Sequence, residues 1–143
     1  MDVADLRKRI IRALEEARKE AAGRRQLADQ SSADYGRFLS RIAVPLFRQA
    51  STVLRAEAHE FTAHTPADSV RLASDRSSSD FIELELDVSR PQPQVIGRTS
   101  QNRGRQGVVV EERPIAPGKA VAELNEDDVS EFLVAEIRRL VTR

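Results

Sequence analysis

The chain has 143 residues with 23 basic and 23 acidic side chains, a formal net charge of zero, and no cysteine. The length suits one domain, and the missing cysteine excludes a disulfide scaffold, a thiolate zinc site, an iron–sulfur cluster and a cysteine nucleophile. Leu, Ile, Val and Phe make up roughly 26% of the residues, enough to build a core, while no apolar run reaches about 18 residues and Met1-Asp2-Val3-Ala4-Asp5 lacks a secretory layout. The expectation is a folded, soluble, cytoplasmic protein without a membrane partner.

From Val3 to Phe61 the sequence is dominated by Ala, Leu, Arg, Glu and Gln, which favour helix. A heptad frame places Leu14, Ala21, Ala28, Tyr35 and Ile42 at one seam position and Val3, Ile10, Ala17 and Phe38 at the other, interrupted at Arg24 and Ser31. Gly23 and Ser31-Ser32-Ala33-Asp34 resemble helix ends, yet the heptad phase continues across both. A single long helix is therefore favoured over a helical hairpin. Pro45 lacks an N–H and clashes with the preceding turn, so a kink is expected near residues 41–45. Beyond it the apolar stripe resumes as Leu46, Ala50, Val53, Leu54, Glu57 and Phe61, displaced from the earlier heptad. The predicted division is residues 1–44 as a coiled-coil-like association segment and residues 45–143 as the body.

After Phe61 the period changes to two. Asp80 to Val88 alternates Ile82, Leu84, Leu86 and Val88 with Glu83, Glu85 and Asp87, the clearest predicted strand. Ser69–Ala73 precedes it, and Gln94–Ser100 and Gly107–Arg113 follow. Asn102-Arg103-Gly104 suits a tight turn, and Pro117-Gly118 suits a type II turn. These elements predict a four-stranded antiparallel meander. A final helix over 126–142 is announced by Asn125 as N-cap, Asp128 three residues on, and the stripe Val129, Phe132, Leu133, Glu136, Ile137, Leu140 and Val141. The fold class is α+β, with this helix and residues 46–61 on one sheet face.

Few residues point to chemistry. His59 and His64 are five apart, so on a helix their rings diverge, unlike a zinc-binding i, i+4 pair; no metal ligands and no cofactor are expected. Ser74, Ser77, Ser78 and Ser79 lack a nucleophile elbow or a phosphate loop around them and read as a solvated turn. Glu83, Glu85 and Asp87 form a row that simple alternation produces, with Arg98 placed to pair across the ladder. No catalytic residue is assigned, and the chain is read as a non-enzyme.

Two features point to partners. The first is the helical seam, where Val3, Ile10, Leu14, Ala17, Ala21 and Phe38 would carry self-association, with a dimer favoured, or docking of a helical partner protein. The second is the segment 90–106, which holds Arg90, Arg98, Arg103 and Arg105 and no acid. Arg98, Arg103 and Arg105 on a hairpin could grip an anion or nucleic acid, though no aromatic residue accompanies them for base stacking. The leading expectation is an interaction module that self-associates through its N-terminal helix.

Overall fold

The computed structural model describes residues 2–142. Asp2 caps the first helix, its carboxylate accepting the Ala4 N–H at 3.3 Å, and helix α1 (Val3–Phe38) then passes through Gly23 and Ser31 without a break. The helical hairpin is absent. A π turn, Leu39–Ala43, joins α1 directly to α2 (Val44–Ala56), so residues 3–56 form one long helix.

Pro45 explains the π turn. An α-helix would demand an N–H at that position and would drive the ring into the carbonyl four residues back; the wider turn relieves both, with Val44 donating instead to the Leu39 carbonyl five residues back. The extra residue also moves the inward face. Ser31, Tyr35 and Phe38 are buried before it and Ala43, Phe47, Ser51 and Leu54 after it, a five-residue step at the π turn among steps of three and four. The stripe expected on Leu46, Ala50 and Val53 is therefore off by one position. Leu46 and Ala50 are half-buried flanks, and Val53 is 62% exposed.

The long helix stops earlier than its apolar spacing suggested. Ala58 takes a left-handed φ of 65°, and a Schellman pair closes the end: His59 N–H donates to the Leu54 carbonyl at 2.8 Å and Ala58 N–H to Arg55 at 3.1 Å. Phe61, read as the end of the helical stripe, instead opens strand β1 (Phe61–His64). The sheet consequently has five strands, not four. The others are β2 (Val70–Ser74), β3 (Phe81–Asp87), β4 (Gln94–Asn102) and β5 (Val108–Pro114). Every neighbouring pair is antiparallel and spatial order follows chain order, as a meander requires. The β4–β5 link carries Gly104 and Gly107 at positive φ, and Gly118, at φ 81°, sits in the turn closed by Lys119 N–H on the Ala116 carbonyl.

Helix α3 (Glu126–Val141) has the predicted capping box: Asn125 accepts the Asp128 N–H and Asp128 accepts the Asn125 N–H. It lies with α2 on one sheet face, against the row Leu72, Ile82, Leu84, Val70 and Val95. Gly97 in β4 is the point of closest approach, because a Cβ there would stand 2.1 Å from the Phe132 ring. Glu136, the polar member of the α3 stripe, is buried and held by Arg113 at 3.1 Å and Arg139 at 3.3 Å. At the junction of helix and sheet, Tyr35 donates its hydroxyl to the Leu84 carbonyl at 3.2 Å and sets its ring 6.2 Å from that of Phe38. Among the described residues no helix is long and apolar enough to cross a membrane.

Candidate functional site

The packed body starts near Ser31. No described residue before it is buried, and residues 3–30 extend as a rod of about 40 Å at 1.5 Å per residue. Along this rod Val3 is 80% exposed and Ile10 and Leu14 are each 50% exposed. Ala17 is exposed and Ala21 is half-buried. Leu6, Ile11 and Leu27 also stand out as exposed large apolar side chains. A strict heptad passes over them because they flank its two seam positions by a single residue; a wider stripe of three to four apolar positions per two turns includes them.

Phe38 does not belong to this surface. It is 4% exposed, packed with Tyr35 in the chain's own core, because the helix has already reached the sheet at its position. The heptad continuity that placed it on a docking face says nothing about where the body begins. The seam is thus two surfaces on one helix: Ser31, Tyr35 and Phe38 turned to the sheet, and Val3 to Ala17 bare.

Where the bare seam meets the body, the β3–β4 connection rises beside it. Ala21, Leu27 and Ala28 form one side of a groove of about 840 Å³, and Val88, Pro91 and Pro93 form the other. Leu27 and Val88 are both exposed in it. Arg24, Arg25, Ser89 and Arg90 complete the lining.

The three basic hairpin residues separate in role. Arg98 lies on the open sheet face between Glu85 and Glu112, donating to each at 2.8 Å. The Glu112 hydrogen bond, with the charges of Glu85 and Glu112, raises its pKa further above the ordinary range against a smaller effect of burial. It is a cross-strand ion pair, as the ladder geometry suggested, and is not free for a ligand. Arg105 is exposed in the 3-10 turn Gly104–Gln106. Arg103 donates to Gln101 at 3.3 Å and joins Arg138 and Arg139 around a cleft of about 730 Å³ between the hairpin tip and the last turn of α3. Arg139 is occupied by Glu111 and Glu136. Among the described residues Arg103, Arg105 and Arg138 form no ion pair. The α3 side of this cleft lies beyond sequence reasoning, since a partner 35 residues away along the chain is visible only after folding.

The remaining candidates sit apart. His59 lies in the turn after α2 and His64 ends β1, both exposed. Ser74 accepts the N–H groups of Arg76 and Ser77 within its turn. In the acidic row, Glu83 is buried, accepting from Ser69 at 3.0 Å and from Arg71 at 2.6 Å, while Asp87 caps the following turn through Ser89. Ser89's two hydrogen bonds are the chief reason the Asp87 carboxyl titrates below its ordinary range, with Arg90 adding to them. No protein family, no curated protein and no solved structure matches the chain.

Proposed function

We propose that this protein is a non-enzymatic cytoplasmic interaction module that associates with a second copy of itself through the free part of its N-terminal helix. The observation behind this reading is the bare ridge of Val3, Leu6, Ile10, Ile11 and Leu14 on a helix that has outrun its own sheet. Contiguous exposed apolar side chains on an ordered element mark a contact surface, and burying each large one against another helix contributes on the order of 1.5–3 kcal/mol. Light scattering across a concentration range tests it. A dimer is expected for the native chain and a monomer with unchanged circular dichroism of the body for Ile10→Asp combined with Leu14→Asp. A native chain that stays monomeric at high concentration removes the reading.

A second reading rests on the cleft beside the hairpin. Arg103 and Arg138 line it without carboxylate partners among the described residues, which suits a phosphate-bearing ligand such as a nucleic acid. Binding of single-stranded RNA that weakens steeply with salt, and is lost with Arg103→Ala plus Arg138→Ala, would support it. Binding that ignores salt, or is absent, ends it.

A further inference from the structure

The geometry points to an antiparallel pairing of the two copies, in which the Val3 end of each helix docks at the mouth of the groove between the helix and the β3–β4 connection of the other. This rests on the self-association reading above and adds the direction, register and receiving surface.

The heptad positions give the first argument. With Val3, Ile10, Ala17 and Arg24 at one seam position, the other is filled by Arg7, Leu14, Ala21 and Ala28. In a parallel, in-register pair each of these meets its own duplicate. Arg7 would face Arg7 and Arg24 would face Arg24, two like-charge layers in a desolvating seam, while Ala17 on Ala17 and Ala21 on Ala21 leave little to pack.

Antiparallel pairing resolves both faults in one register. When Ile10 of one copy meets Leu14 of the other, residues whose numbers add to 24 face one another, so Val3 lies on Ala21 and Arg7 on Ala17. Large side chains then sit on small ones, and Arg7 has room to extend its guanidinium to solvent. Arg24 falls outside the overlap. Ile11, just beside the seam, meets its duplicate near the twofold axis. Sliding one heptad deeper sets Arg7 against Arg24, and one heptad shallower sets Arg7 against Ile10 and separates Ile10 from Leu14.

The groove gives the independent argument. Its floor is the seam itself, Ala21 and Ala28, walled by Val88 and Pro91 of the same chain. In the antiparallel register the incoming helix starts at Val3, capped by Asp2, where the seam reaches this wall. A parallel partner would have to carry its own helix and body past the same point. Charge agrees as well: Asp2 of the arriving end comes level with Ala22, within a turn of Arg24 and Arg25 of the receiving groove, and Asp5 comes level with Lys19.

Because the chain has no cysteine, disulfide trapping in the full-length protein reads the arrangement directly. Val3→Cys plus Ala21→Cys in one chain lie about 27 Å apart along the helix, too far to join internally. Mild oxidation is expected to give a covalent dimer from the double variant and none from either single variant. Cross-linking of Val3→Cys alone or Ala21→Cys alone, or of none of the three in a chain that light scattering shows to be a dimer, overturns the antiparallel pairing. A native chain that is monomeric in the same light-scattering run overturns instead the self-association on which it rests.

Discussion

One continuous helix serves two environments, and the contrast between its halves separates what makes a helix from what a helix is for. From Ser31 to Leu54 it is held by burial: Tyr35, Phe38, Phe47 and Leu54 join a core with Leu72, Ile82, Leu84 and Phe132. From Val3 to Gln30 no side chain is buried within the chain, and its order rests on Ala, Leu, Arg and Glu, on Asp2 as cap, and on spacings such as Glu15 to Lys19 and Glu20 to Arg24, each worth about 0.2–0.5 kcal/mol. The packed half supplies the costly nucleus, and the free half is propagation from it. On the propagated part Val3, Leu6, Ile10, Ile11 and Leu14 stay exposed, and the self-association proposed above would give them a use the chain's own fold does not.

If the body is the rigid half, the sharpest way to break it is at its tightest contact. Gly97→Ala places a methyl 2.1 Å from the Phe132 ring, which is itself fully buried between α3 and the sheet. The ring is buried, so yielding to the methyl displaces its packed neighbours or lifts α3 from the sheet. A loss of about 3 kcal/mol or more is expected in denaturant unfolding. A loss under about 1 kcal/mol would show that the α3–sheet contact is far more yielding than its burial implies.

The sequence revealed the elements whose signal is local and hid those set by folding. The alternation of Ile82, Leu84 and Leu86 with acids, and the Asn125 and Asp128 box, are complete within a few residues, and both were legible. The continuing heptad phase also outweighed Gly23 and Ser31 correctly, because phase is a property of the whole helix. Strand β1 was hidden because Phe61 fits the helical spacing after Leu54, and the stop lies in a left-handed Ala58, a residue that does not announce that conformation. The one-position shift at the π turn was equally hidden: Pro45 announced a disturbance but not that it would take the form of an inserted residue. The candidate surfaces follow the same division. The ridge on Val3, Ile10 and Leu14 is written in sequence, whereas the withdrawal of Phe38 and the meeting of Arg103 with Arg138 depend on where the sheet comes to rest.

The border between the two halves can be read through Tyr35, the chain's sole tyrosine. Removing its hydroxyl with Tyr35→Phe deletes the bond to the Leu84 carbonyl and should cost about 1 kcal/mol of body stability. In the native chain burial first, and then the nearby charges of Glu85, Glu83 and Asp68, push its pKa above the ordinary phenol value. A raised folded-state pKa favours the protonated form, so its stabilising effect is complete below the unfolded value near pH 10 and is lost as pH rises towards the folded value. Ultraviolet titration should therefore show no tyrosinate in folded protein at about pH 10, with ionisation appearing only as the helix leaves the sheet. A free midpoint near 10 would place the border further along the helix than Tyr35.

A smaller effect is expected at the other limit of the packed half. Ala58 holds a left-handed conformation in which a Cβ costs about 1–2 kcal/mol, and Ala58→Gly removes that strain while adding unfolded-state entropy worth about 0.4–1 kcal/mol. A net gain of about 0.5 kcal/mol in chemical unfolding is expected. A loss instead would mean that the Schellman end, closed by His59 on Leu54, depends on the Ala58 methyl.

The smallest effect on the body is expected from the same glycine-to-alanine change made in the free half. A methyl group at Gly23 would find nothing within 4 Å, so Gly23→Ala meets no obstacle and gains the full helix propensity of about 1 kcal/mol. Where that gain appears decides whether the two halves are one cooperative unit. With no buried residue described before Ser31, the free half can fray while the body stays folded, so the gain should slow amide hydrogen exchange around residues 15–30 and leave the body's unfolding midpoint unchanged. A midpoint that rises by the same amount would mean that the rod and the sheet unfold together as one cooperative unit.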